Sequence, residues 1–570
     1  MRIIYAKIMA MAMLCLALPS WAAGFTIDGI SYTILSGNTV EVASGNYTGK
    51  VVIPEKVVDN GVEYAVTGIG NSAFYYCYAM TDISMPSTLT NIGESAFEFC
   101  MSLDSIVVPE GVLTIGNGAF GYCTRMSKLY LPKSVTSVAT YVTFGTYNLN
   151  EIVVDEGNAN YTAWDGALYN KDKTALYAYP NKRHENVVIP EGVTTIMDGA
   201  MWECNNVKSI TLPESVTTLN PFCFYSCEGL KSINLPKGIT SLPQGIFYYC
   251  SSLEEIEVPE KVTTIGQTAL ADCYELTTVK LGTSLTSIGV SAFMNSSKLK
   301  NIELPNGLKT LGMSSLRATA IESITIPKTC TSIGAYSFMA CLKLKEILVA
   351  TGNGKYTSKD GVLCNRQGWE IVAWPGGKAS EYSVPAGITN IGEGAFYYCD
   401  NLEKIELCND VSVLGANSFS DNVNLSKVVL GDKITSIRSS AFSYCTGLEE
   451  IDCRIESPLT ISEDVFYKVT TSACKLIVPA GTKSAYETAA VWKGFIIQES
   501  TSALKDLETA NVVVRGGNGV IRVMSQEPTR FDVYALSGEK VYSGEDCEVS
   551  LSSGVYVVTI AGKSEKVIVR

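Results

Sequence analysis

An apolar residue, often followed by Gly, returns along this chain at a step of 23 residues. It stands at Ile69, Ile92, Ile115, Val138, Ile196, Leu219, Leu242, Ile265, Ile288, Leu311, Ile333, Ile391, Leu414 and Ile437, with ten of the thirteen intervals equal to 23, one to 22 and two to 58. Pro lies six residues before this anchor in ten of the fourteen cases, Phe five after it in ten, and Cys eight after it in ten. A register held this tightly over four hundred residues excludes an ordinary globular core, which stops growing at ~250 to 300 residues. It requires a stack of equivalent coils, none of which can bury its own apolar face without the coil above and the coil below.

Within a coil, pairs such as Ile106-x-Val108, Ile210-x-Leu212 and Ile302-x-Leu304 alternate as a short strand does, two apolar side chains inward and one residue outward, with Pro closing the strand. Steps of ~20 to 29 residues with fixed apolar columns are those of leucine-rich repeats. The expected fold class is therefore a mainly-β repeat solenoid of 23-residue leucine-rich coils with two hairpin inserts, followed by a small C-terminal all-β domain. The inserts occupy the two long intervals. Tyr161, Asp165-Gly166, Asn170 and Tyr179-Pro180 in the first align with Tyr356, Asp360-Gly361, Asn365 and Trp374-Pro375 in the second, 195 positions further on. Segments such as 167–170 and 175–179 alternate around a polar turn, which predicts a hairpin added to the coil.

The remainder divides around this array. Residues 1–22 carry Arg2 and Lys7, an apolar run from Ile8 to Leu18 and a small-x-small site at Ser20-Trp21-Ala22, the pattern of a signal peptide. An exposed first or last coil needs covering, and 23–68 and 471–500 supply strand-like runs for an N-terminal and a C-terminal cap around the 69–470 array. In the latter, Tyr486, Trp492 and Phe495 are large enough to lie over a final coil. From 503 to 570 the pattern changes to period two, at 512–514, 520–523, 531–535, 549–551, 555–560 and 566–569, and predicts a small β-sandwich.

The phrase with its Pro, Ile-Gly, Ala-Phe and Cys, together with the Asp-Gly insert, resembles the BspA-type leucine-rich-repeat family of bacterial surface proteins. That resemblance spans about residues 69–469 and implies surface exposure and binding to host extracellular matrix proteins or to other cells. It brings no ligand motif that could be carried over residue by residue. The run Phe531-Asp532-Val533-Tyr534-Ala535-Leu536-Ser537-Gly538-Glu539-Lys540-Val541 and Gly554-Val555-Tyr556-Val557-Val558 resembles the C-terminal sorting domain of type IX secretion substrates. It implies a Bacteroidetes-like bacterium, a partner in the secretion machinery, and a mature chain secreted or held at the outer cell surface with no transmembrane segment.

Composition excludes some functions. A net charge of -13 and a pI near 4.9, with no cluster of Lys or Arg, make nucleic acid an unlikely ligand by chemistry. Ten of the 18 cysteines share one repeat position, where Thr146, Ser296, Thr319 and Asn422 replace them elsewhere, so they read as small buried groups rather than a disulfide framework; Cys223 and Cys227 are the pair worth testing for a bond. No catalytic residue, cofactor or metal site is expected. His184 is the single histidine, and no Cys-x-x-Cys or His pair has ligand spacing. Glu255 with Glu257, and Glu450 with Asp452, are carboxylate pairs on outward strand positions, where a solvated strip is favoured over a hydrolase site. Binding has better candidates. Aromatics follow the Phe position, and Tyr75, Tyr76, Tyr122, Trp202, Tyr225, Tyr248, Tyr249, Tyr397, Tyr398 and Tyr444, with Tyr130 on the strand face, are the candidate ligand contacts. Against this stands simple side-on packing between coils. The expected function is protein–protein interaction or adhesion, with a glycan-binding or accessory module as the alternative and a hydrolase as a distant third.

Overall fold

Each coil gives the stack two strands. In the computed structural model, which describes residues 24–500, 512–516, 520–525, 530–545, 548–560 and 563–569, the chain forms two compact units, Met1–Gln367 with Ala373–Lys378, and Gly368–Val372 with Ala379–Arg570. Residues 1–22, whose pattern is that expected of a signal peptide, and the start of the 503–570 segment lie outside the described residues. In the first unit the Ile-x-Val phrase forms one parallel ladder, as in Ser105–Val107, Lys128–Leu131 and Glu151–Val154. Ile106 and Val108 face inward and Val107 outward, at 61% exposure. The anchor forms a second ladder from runs of two residues, Asn91–Ile92, Thr114–Ile115 and Ser137–Val138, all parallel and in register. Alternation along the sequence predicts only one strand per coil, because a two-residue run is too short to alternate.

Between the strands the Phe and Cys columns fill the interior. Phe74, Phe97 and Phe120 stack at 5.0 and 5.8 Å, and Phe224 on Phe247 at 5.6 Å. The Cys column does more than fill space. The thiols of Cys100, Cys123, Cys250 and Cys273 donate to the carbonyls of Phe74, Phe97, Phe224 and Phe247, each in the coil before, at 3.1 to 3.3 Å. Where Cys is replaced the donor persists: Thr146 Oγ1 donates to Phe120 O at 3.0 Å and Ser296 Oγ to Leu270 O at 2.9 Å. The column therefore selects a small donor that takes the second acceptor position of an interior carbonyl; the carbonyls of Phe74, Phe97, Phe224 and Phe247 also accept the amides of Cys77, Cys100, Cys227 and Cys250 in their own coils. All sixteen described cysteines are free, Cys223 and Cys227 included, and burial pushes the Cys123 thiol up to about 12.

The inserts form the expected hairpins and also join the coil ladder. In the first, Tyr161–Trp164, Ala167–Asn170 and Ala175–Ala178 run antiparallel in turn, and Ala175–Ala178 then pairs parallel with Thr195–Ile196, continuing the anchor ladder. A period-two pattern looks the same in both kinds of pairing, so from sequence only the hairpin is visible. Both inserts are fastened alike. Asn158 Nδ2 donates to Pro132 O and Val135 O while its Oδ1 accepts from the amides of Asn160 and Tyr161. Asn353 repeats this with Pro327, Cys330, Lys355 and Tyr356. Tyr161 and Tyr356 hydroxyls accept the amides of Val138 and Ile333, the last anchors before each insert.

Ahead of the first coil, Gly24–Ile27, Ile30–Ile34 and Thr39–Val42 run antiparallel in turn, and Thr39–Val42 joins Val62–Ile69 in parallel. The second unit repeats the coil, with Lys404–Glu406, Lys427–Leu430 and Glu450–Cys453 in one parallel ladder and Phe396, Phe419, Phe442 and Phe466 stacked at 4.9 to 5.5 Å. Asn422 Nδ2 serves there as the donor to Phe396 O. Trp492 and Phe495 pack on Phe466 at 5.8 and 5.0 Å, and Tyr486 is fully buried beside Trp492. The last seven strands form two antiparallel sheets, Val512–Gly516, Val520–Ser525 and Glu548–Ser550 in one, and Lys540–Gly544, Phe531–Ala535, Gly554–Ile560 and Lys563–Val569 in the other. Ile521 and Val523 from the first sheet share a core with Phe531, Val533 and Val558 from the second. The strand Lys540–Gly544 carries one Val and ends in Gly, too weak an alternation to predict from sequence.

Cys250→Ala, which removes the donor to Phe224 O and leaves a void, is expected to cost about 1 to 3 kcal/mol in urea denaturation. Cys250→Thr, which keeps a donor as Thr146 does, should cost clearly less; equal losses would show that volume alone matters.

Candidate functional site

The residue seven positions after the anchor has a left-handed backbone in coil after coil: φ is 61° at Tyr76, 64° at Phe99, 51° at Tyr122, 56° at Glu203 and 65° at Tyr249. Bulky side chains rarely adopt this conformation. Here the amides of Tyr76, Phe99 and Tyr122 are bonded to carbonyls of the following coil, those of Glu98, Gly121 and Phe144, which holds the strained residue in place. Equivalent side chains thus leave the stack one above another. Tyr76, Phe99 and Tyr122 lie face to face at 4.5 and 4.6 Å, their planes within 5°.

Ring contacts then continue along the first unit. Tyr75 abuts Tyr76 at 4.5 Å, Tyr122 meets Phe144 at 5.0 Å and Tyr147 at 6.4 Å, and Phe144 meets Trp202 at 6.0 Å. Trp202 packs on Tyr225 at 4.0 Å, Tyr225 on Tyr248 at 5.3 Å, Tyr248 on Tyr249 at 6.5 Å and Tyr249 on Tyr274 at 5.9 Å. Tyr76, Tyr147 and Tyr274 are 37 to 41% exposed, so the stripe is packed laterally and open outward. Side-on packing and a solvent-facing surface, which stand as rivals when only the sequence is considered, are both present in this geometry.

Of the candidate contacts, Tyr75, Tyr76, Tyr122, Trp202, Tyr225, Tyr248 and Tyr249 fall in this one stripe. Tyr130 does not: it lies in the strand ladder, in register with Val107 and Val153. Tyr397, Tyr398 and Tyr444 belong to the second unit, where Tyr444 meets Tyr467 at 5.5 Å. Phe144 lies in the aromatic column, six residues after its anchor, and joins the stripe although it is not among the candidate contacts; Tyr147 and Tyr274, nine residues after their anchors, lie off the column.

The stripe passes the first insert through a carboxylate. Glu203 accepts the hydroxyls of Tyr122 at 2.9 Å and Tyr147 at 2.8 Å, residues 81 and 56 positions away in sequence. Burial raises the Glu203 carboxyl above its ordinary 4.5, and hydrogen bonds from Tyr147 and Tyr122 oppose the rise. The strand face differs. Lys208 pairs with Glu185, Lys280 with Glu257 and Lys404 with Glu381, always one coil apart. Glu257 and Glu450, members of the outward carboxylate pairs, are held by Lys280 and Lys427. His184 Nε2 lies 2.8 Å from Asp165, which also receives Arg183. Among the described residues no group of three or more His, Cys, Asp or Glu could hold a metal ion, and no helix is long and apolar enough to cross a membrane.

Two parallel ladders per coil around stacked Phe and Cys columns define a leucine-rich-repeat solenoid. The model of the BspA type leucine rich repeat region matches residues 60–168, 172–298, 263–359 and 375–489, more than half the chain, and the chain belongs to that family. Among solved structures it is similar to a leucine-rich repeat protein from Eubacterium ventriosum, 24% identical over 51% of this chain and 93% of that one with a TM-score of 0.40. It is also similar to one from Bacteroides ovatus, 24% identical over 84% and 99% with a TM-score of 0.37. A leucine rich cell surface protein from Faecalibacterium prausnitzii is 18% identical over 84% and 95%, with a TM-score of 0.36. No curated protein matches.

Because folding raises the Glu203 carboxyl, its protonated form adds stability that is complete below the unfolded value and is lost as pH rises through the folded one. Glu203→Gln, neutral at every pH like the protonated carboxyl, should remove that dependence, so in urea denaturation E203Q is expected to gain stability relative to wild type as pH rises above 4.5.

Proposed function

We propose that this is an exported surface interaction protein whose first unit binds a macromolecule, a host extracellular matrix protein or a component of another cell's surface, along the aromatic stripe. The observation that carries the reading is the unbroken series of ring contacts from Tyr75 to Tyr274 with its outer edge in solvent. Tyr and Trp give large rigid contact area for little entropy loss, and hot spots of binding are enriched in both. Where Tyr76, Phe99 and Tyr122 stack, each ring covers its neighbour's face, and what remains outward is ring edge and the Tyr76 hydroxyl, the Tyr122 hydroxyl being bonded to Glu203. That suits peptide carbonyls better than the C–H face of a sugar, and favours a protein partner over a glycan. Repeat surfaces of this extent suit large partners. Family membership supports the surface location.

The C-terminal segment 503–570 is proposed to act on the chain itself, as the address for type IX secretion in a Bacteroidetes-like bacterium, with residues 1–22 directing the earlier export step. Support comes from the Phe531 to Val541 and Gly554 to Val558 phrases and from the all-β folding of that segment.

Surface plasmon resonance of the full chain against an array of matrix proteins and neutral glycans is expected to give saturable binding to a protein. Tyr76→Ala with Tyr122→Ala should weaken it by about tenfold, the scale of one hot spot; absence of saturable binding to any protein would sink the reading. Deleting 511–570 should trap the chain inside the cell envelope, and undiminished release would reject the sorting role.

A further inference from the structure

The stripe and the strand face carry charge differently. On the strand face several cations and anions are matched between coils, as in Lys208 with Glu185 and Lys280 with Glu257. The eight segments that build the stripe, residues 71–78, 94–101, 117–124, 140–147, 198–205, 221–228, 244–251 and 267–274, hold six carboxylates, Glu94, Glu98, Asp198, Glu203, Glu228 and Asp272, and no Lys, Arg or His. None of the six makes an ion pair among the described residues. Their hydrogen bonds come from uncharged groups: Glu203 takes two tyrosine hydroxyls, and Asp272 takes the Tyr274 hydroxyl at 3.0 Å and the Asn295 amide at 2.8 Å. Their field reaches the rings. Burial, and after it the charge of Glu98, raises the Tyr75 phenol, and burial with Asp272 raises those of Tyr248 and Tyr274.

Beyond Tyr122 the rings also turn. Tyr122 and Tyr147, Tyr225 and Tyr248, and Tyr249 and Tyr274 meet at 73 to 80°, so faces as well as edges come outward. Ring faces carrying negative quadrupole charge, interleaved with carboxylates that have no cation of their own, are complementary to a guanidinium or ammonium group, through cation–π contact and ion pairing together.

We infer that the aromatic stripe of the first unit docks a basic protein segment, one rich in arginine, whose side chains lie over the rings and pair with the unmatched carboxylates. This rests on the reading of the stripe as the binding surface and names the chemistry of its partner. Arginine is favoured over lysine because its flat, weakly hydrated guanidinium stacks on rings.

The test uses the full chain with fluorescein-labelled deca-arginine, deca-lysine and maltoheptaose, followed by fluorescence anisotropy at about 150 mM salt, where non-specific attraction is screened within ~8 Å. Deca-arginine is expected to bind saturably and several-fold tighter than deca-lysine, with maltoheptaose not binding. Glu94→Gln with Glu228→Gln, both exposed, and separately Tyr147→Ala with Tyr274→Ala, should each weaken deca-arginine by about fivefold. Glu110→Gln with Glu191→Gln, exposed turn residues off the stripe that change net charge equally, should leave it within about twofold. Equal weakening by the two Glu pairs, no effect of the Tyr pair in protein of unchanged circular dichroism, or tighter binding of maltoheptaose would overturn the inference. If deca-arginine fails to bind while a matrix protein still binds through Tyr76 and Tyr122, the basic-partner inference falls and the proposed binding surface stands.

Discussion

The interior carbonyl at the Phe position is the group on which the stack depends. It points toward the next coil, and one small donor there, from Cys, Ser, Thr or Asn, binds it, alongside an amide of its own coil at Phe74, Phe97, Phe224 and Phe247. Losing the bond between coils would cost about 1 kcal/mol, a sizeable share of the net stability of one coil. The bond also fixes register. Because donor and acceptor belong to different coils, a coil that slips loses its own bond and its neighbour's. The Phe rings stacked beside the bond and the two strand ladders on either side follow from the same alignment.

The surface is a by-product of that register. A coil that must turn back after the Phe position places its seventh residue in the left-handed region, and coil-to-coil amide bonds hold it there. Identical geometry in successive coils then aligns whatever side chain is present. Where the side chain is aromatic it stacks; where it is Glu203 or Asp272 it inserts a carboxylate among rings. Function can therefore be written on the stripe by substitution alone, without altering the fold, while the strand face carries lysine–glutamate pairs one coil apart. Such exposed pairs contribute at most about 1 kcal/mol each. The stripe segments differ in holding carboxylates and no cation at all.

Much of this is legible in the amino-acid pattern. The Pro, Phe and Cys columns define the coil, its step and its buried positions, and the exchange of Cys for Thr146, Ser296 and Asn422 already indicates a small polar group. The acceptor is invisible there, since it is a backbone atom of another coil. Tyr75, Tyr76, Tyr122, Trp202, Tyr225, Tyr248 and Tyr249 stand out as a column, but Tyr147 and Tyr274 join the stripe from nearby positions off it, and Glu203 reaches Tyr122 across an interval that no local pattern spans. Asn158 and Asn353 escape notice although they stand 195 residues apart like the other matched positions of the inserts. A single Asn in a loop carries no periodicity, and its four hydrogen bonds appear only once the chain has closed around it.

Amide hydrogen exchange on the full chain, comparing wild type with Cys250→Ala, tests the coil-to-coil dependence most directly. If interior bonds between neighbours hold the stack, exchange should accelerate in the coils on both sides of the lesion, at amides such as those of Phe224, Phe247 and Leu270, and remain unchanged as far away as Phe74 and Phe97. Acceleration confined to the altered coil, with its neighbours untouched, would contradict the account.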